Sequence, residues 1–176
     1  IGNLKNYFNT SKGIKQLLDL KNSLVKSGYP KNAAQLEIDF FLELFDDITI
    51  QSLLFNAAAG LHLHLENGKF KQKIKINKEF GLIRTSIGKV FIVGSSNTLL
   101  PVLTSMILSY IAGNNTVVQL SSLHANCIPN FIENLPFGGV NHIHFTNLYR
   151  EKEEDLLLIE TLITNLNWNV INVWGG

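Results

Sequence analysis

Cysteine is almost missing: Cys127 is the only thiol among 176 residues. One thiol cannot build a disulfide framework within a chain, so a reducing, cytoplasmic setting is expected. Charge is missing from one long stretch, because no Asp, Glu, Lys or Arg occurs between Lys89 and Glu133. The chain as a whole carries a net charge of +1 and no basic block, which leaves no electrostatic case for nucleic acid. Lys69, Lys71, Lys73 and Lys75 alternate, as on one solvated face of a strand. No run is long enough for a bilayer: Leu99 to Ala112 falls short of the ~20 apolar residues a span needs, so no membrane span is expected. Nor does the polar opening, Ile1-Gly2-Asn3-Leu4-Lys5, read as a signal peptide. The lack of an initiator Met suggests a trimmed or partly ordered chain. Gly-x-Ser-x-Gly, the Walker loop, His-Glu-x-x-His and Gly-x-Gly-x-x-Gly are all absent.

What is present centres on Gly88 to Ser122. An apolar run with strand character, Val90 to Val93, meets a small polar turn, Gly94-Ser95-Ser96-Asn97. A helical run from Leu99 to Ala112 is closed by Gly113-Asn114, and a second strand runs from Thr116 to Leu120. This is the crossover unit of a parallel sheet. Ligands of such sheets bind at the carboxyl ends of the strands, here Gly94 to Asn97 and Gln119 to Ser122. The pattern then repeats, with a helix over Leu123–Asn134, a strand over Val140–Thr146, a helix over Glu151–Leu166 and a strand over Asn169–Trp174. Four strands alternating with helices predict an α/β fold, a doubly wound, Rossmann-like parallel sheet. Composition allows a substantial core, at 45% hydrophobic.

Ahead of the sheet, helical spacing predicts helices over 11–27 (capped by Ser11), 31–46 and 50–65, the last with a cap at Thr49. Asn67-Gly68 marks a turn, and 69–77 reads as a strand. The expected organisation is a helical N-terminal region over 1–68, a strand and connector over 69–87, and a partial dinucleotide-binding domain over 88–176.

Several residues are candidates for chemistry. Asn97 is either a turn and cap residue or an amide donor for a developing oxyanion. Ser121 and Ser122 read as caps for the helix at Leu123. Gly175-Gly176, after the last strand, is either an ordinary turn or a place where backbone approaches a phosphate. Trp174 is expected to pack at the strand end. Cys127 lies in a predicted helix with no activating His or carboxylate and reads as a small buried hydrophobe. His142/His144 could share a strand face, whereas His62/His64 fall on a predicted helix, where residues two apart diverge. Neither pair has a Cys or acidic companion, so no metal is expected.

The Asn just after the first strand, the helix ending in Ala112-Gly113-Asn114 and the following Thr116-Val117-Val118 resemble the start of the cofactor domain of aldehyde dehydrogenases. The end, Val170-Ile171-Asn172-Val173-Trp174-Gly175-Gly176, resembles the acyl-CoA reductases of the LuxC type within that superfamily. The resemblance spans roughly 80–176. It implies an oxidoreductase that forms an aldehyde from an acyl-CoA or other acyl thioester with NADPH. Asn97 would serve the oxyanion hole. Gly94, Ser95, Ser96, Gln119, Ser121, Ser122, Gly175 and Gly176 would line the cofactor. The family's Cys nucleophile lies well beyond its Trp-Gly-Gly strand and is absent from this chain. Gln119 and Ser122 stand where the family has a Lys and an acid that hold the adenosine ribose. Losing the acid favours a 2′-phosphate, while losing the Lys removes its attraction. A non-catalytic nucleotide-binding or protein-interaction module on the same sheet is the alternative. The sheet edge after Trp174 suggests a cover, either further chain or another subunit of a homo-oligomer.

Overall fold

The computed structural model describes residues 2–45, 61–66, 69–74, 87–136, 142–149 and 152–174. Three helices open it: α1 (Gly2–Phe8), α2 (Ser11–Lys26) and α3 (Lys31–Glu43). Nothing in the apolar spacing announces α1. The cap of α2 is Thr10 rather than Ser11, because the Thr10 hydroxyl accepts the Gly13 N–H at 3.1 Å and Ser11 is already helical. Gly13 is where α2 meets α1: a Cβ there would run into the Tyr7 carbonyl oxygen.

The helix expected over 50–65 is corrected by the structure. Residues 46–60, with the Thr49 cap, lie outside the described residues, and Leu61–Glu66 is a strand, β1. It pairs antiparallel with β2 (Lys69–Ile74), from Glu66 opposite Lys69 to Leu61 opposite Ile74. The physical reason was present in the sequence, since Leu61, Leu63 and Leu65 alternate with period two and Asn67-Gly68 is a hairpin turn signal. The helical region therefore does not run on to residue 68. The expected strand over 69–77 is seen as far as Ile74.

The main sheet contains β3 (Lys89–Val93), β4 (Asn115–Gln119), β5 (Ile143–Thr146) and β6 (Val170–Val173), all parallel, in the order β5-β4-β3-β6. Between them come α4 (Leu100–Ile111), α5 (Ser122–Ala125), α6 (Ile128–Glu133) and α7 (Glu153–Asn165). The chain moves outward from β3 to β5, then returns to place β6 on the far side of β3. This α/β architecture is compatible with a Rossmann-like fold, with its topological switch point between β3 and β6. The single helix expected over 123–134 is in fact two. Pro129, in the first turn of α6, has no N–H to give, and its ring would crowd the Ala125 carbonyl.

One continuous core joins the helices to the sheet. Phe8, Leu20, Leu24 and Phe41 from the N-terminal helices are buried in the same cluster as Val90, Ile92, Leu103, Met106, Val118 and Phe131. Aromatic edges lock its centre: Phe41 meets Phe131 at 5.9 Å in a T-shape, and Phe8 lies parallel to Phe131 at 6.3 Å. On the opposite face of the sheet, Phe91 stacks on Trp168 at 4.9 Å.

Candidate functional site

The carboxyl ends of β3 and β4 deliver two short turns. In the first, the Ser95 hydroxyl accepts the N–H groups of Asn97 at 3.1 Å and Thr98 at 3.2 Å, which fixes the turn from within. Gly94 is buried, and its N–H is spent on the Gln119 carbonyl at 2.8 Å. A Cβ on Gly94 would come within 3.0 Å of that carbonyl, so the turn needs glycine to lie against β4. Beyond them the Asn97 side chain is exposed, with its Oδ1 accepting from the Ser96 hydroxyl.

Two residues of the N-terminal helical region hold this turn in place. The Tyr29 hydroxyl lies 2.6 Å from the Asn97 carbonyl and 2.9 Å from Glu37 Oε1, its one proton shared between them. Glu37 Oε2 accepts the Leu100 N–H at 2.9 Å. A carboxylate thus already sits on the positive end of α4, the place that holds phosphate in many dinucleotide folds. Burial, with Glu37 beside it, pushes the Tyr29 hydroxyl well above its ordinary range, so it stays a donor.

In the second turn Gln119 is 0% exposed, and its Nε2 donates to the carbonyls of Leu120 and Leu148. Among the described residues its Oε1 has no partner, and neither has Thr146 Oγ1, on the register partner of Gln119 in β5. Ser121 is buried, and its hydroxyl pairs with His124 Nδ1 at 3.1 Å. It is the N-cap of α5 by position, but its hydroxyl does not cap, and Ser122 is the first helical residue. The cap role expected of the two serines is therefore corrected: the imidazole takes the hydroxyl. His124 is fully buried, and its Nε2 has no hydrogen-bond partner among the described residues. Burial lowers its proton affinity, opposed by the Ser95 backbone and the Glu37 charge.

The candidates therefore divide. Ser96, Asn97 and Ser122 reach the surface, while Gly94, Ser95, Gln119 and Ser121 are buried. Gly175 and Gly176 lie outside the described residues. Trp174 joins the first turn: its N–H donates to the Val93 carbonyl at 2.8 Å, and its indole donates to Ser105 of α4. Tyr29, Glu37 and His124 were not foreseen. Only His124 had a local signal, a Ser three residues ahead of it.

Cys127 is buried, its thiol directed at the Leu123 and His124 carbonyls, and burial raises its pKa to about 11. His62 and His64 sit on β1, so the helical spacing expected to part them does not apply. His142 contacts Asn115 and His144 is exposed. Among the described residues no group of three His, Cys, Asp or Glu could hold a metal ion, and no helix is long and apolar enough to cross a membrane. Comparison with protein-family models, curated proteins and solved structures returns no match.

Proposed function

We propose that this chain forms the nucleotide-binding part of a LuxC-type acyl thioester reductase, an aldehyde dehydrogenase-like enzyme that makes an aldehyde with NADPH. The observation that carries this reading is the switch point. The strand order sets the carboxyl ends of β3 and β6 side by side, with the exposed Asn97 on one and Trp174 on the other. Open parallel sheets bind ligands at such a point.

The residues present fit a nucleotide in one further respect. Gln119 Oε1 is a buried acceptor with no partner among the described residues, at the strand end where a dinucleotide fold offers an acceptor to the ribose. A neutral side chain there does not repel a 2′-phosphate. The Asn97 amide, whose Nδ2 has no partner among the described residues, is suited to donate to a developing oxyanion. Tyr29 positions that amide through the Asn97 carbonyl. Ser95 holds the turn, and Trp174 walls it on the β6 side. NADPH, when bound, would supply hydride to the acyl carbon. Cys127 is unsuited to carry the acyl group, because it is buried and held as a thiol.

Glu37 on the N-terminus of α4 favours a second reading, a non-catalytic interaction module on the same sheet, since that phosphate position is filled by the protein itself. Titration of tryptophan fluorescence with NADPH separates the two. The reductase reading predicts saturable quenching that is lost in Trp174→Phe. No response from the wild-type chain contradicts it.

A further inference from the structure

The nucleotide reading leaves a gap: nothing at the end of β4 attracts the 2′-phosphate that distinguishes NADPH from NADH. Gln119 and Ser122 are neutral, and Gln119 is spent largely on carbonyls. The fold brings another element to this place. A surface hollow of about 500 Å³ opens beside the β4–α5 turn. Ser122, Leu123 and Asn126 line one side; Ser23, Lys26 and Ser27 of the α2 end line the other. The two walls meet where Gly28, with φ +101°, ends α2 and passes Leu123.

The chemistry of this lining is selective. It presents three hydroxyls, one amide and one ammonium, with no carboxylate among them. No described residue is paired with Lys26. Hydroxyl and amide groups serve a phosphate monoester as donors, and the ammonium supplies the charge. The carbonyl end of α2 would otherwise repel an anion here, and a cation in the last turn offsets that field.

We propose that Lys26, across the hollow from Ser122, is the specificity-determining residue that receives the 2′-phosphate of an adenine dinucleotide. The inference rests on the nucleotide reading. It takes the function expected of a Lys at position 119 and assigns it to a helix more than 90 residues earlier in the chain.

The test is calorimetric titration of the chain with NADPH and with NADH at low salt, in wild type, Lys26→Ala and Ser122→Glu. Wild type is expected to bind NADPH about tenfold more tightly than NADH, as one charge-assisted phosphate contact allows. Lys26→Ala should level the two affinities by weakening NADPH alone. Ser122→Glu should reverse the preference by repelling the phosphate. Raising salt should shrink the wild-type preference. Equal affinities in wild type, or a preference that survives Lys26→Ala, overturns this inference and leaves the nucleotide reading standing. Binding of neither dinucleotide overturns both.

Discussion

The two faces of the parallel sheet are finished to different degrees. On one, Val90, Ile92 and Val118 disappear under α1 to α4 and α6 in a single aromatic-centred core. On the other, Phe91 and Trp168 stack, but the flanking surface stays apolar and open: Leu157 of α7 is 69% exposed and Val173 of β6 is 60% exposed. The edge strands differ likewise. β5 alternates Ile143 with an exposed His144, as an edge strand should, whereas Val170, Ile171 and Val173 of β6 are apolar on both faces, the pattern of an interior parallel strand. Stability should therefore reside on the helical face, where the crevice mouth is also pinned by Tyr29 and Glu37. Trp174 belongs to that face too, since its indole donates to Ser105 of α4.

The largest effect should come from emptying the packed face. Phe131→Ala should cost about 3–5 kcal/mol in urea unfolding, as a buried aromatic does. A cost below about 1 kcal/mol would break the comparison. Gln119→Glu buries a carboxylate facing the Leu120 and Leu148 carbonyls and should cost about 2–4 kcal/mol at neutral pH. Tyr29→Phe removes one shared hydroxyl and should cost about 1–2 kcal/mol, with its amide shifts concentrated at Asn97 and Leu100.

His124 supplies the pH dependence. Its proton affinity is lower in the folded protein than in the unfolded chain, where the ordinary value is 6.5. Below about pH 6.5 the unfolded state therefore binds more protons, and stability falls as pH drops until the buried ring itself protonates. His124→Gln should flatten that slope in melts between pH 7 and 5. Leu157→Ser, on the open face, should change stability by no more than about 0.5 kcal/mol.

Much of the sheet could be read from local pattern. Val90 to Val93, the α4 run and Thr116 to Gln119 are continuous apolar or β-branched segments bounded by Gly, Ser and Asn. The alternating parallel elements follow from them. The hairpin was legible too, in Leu61, Leu63 and Leu65 with Asn67-Gly68, but the surrounding apolar residues imitate a helix. The pinned crevice was not legible. Tyr29 meets Asn97, and Glu37 meets Leu100, across separations that only the packing of α3 on α4 creates. Nor could the sequence separate a Ser121 that caps a helix from one that pairs with a buried imidazole, since both need a hydroxyl at the same place.

The most direct test of the central claim is a ¹⁵N amide titration of the chain with NADPH. Binding at the β3–β6 crevice predicts saturable shifts at Ser96, Asn97, Gln119 and Trp174, with the Leu100 amide, already held by Glu37, left nearly still. Shifts centred on Leu100 with Asn97 and Trp174 unmoved, or no shifts at all, would contradict it.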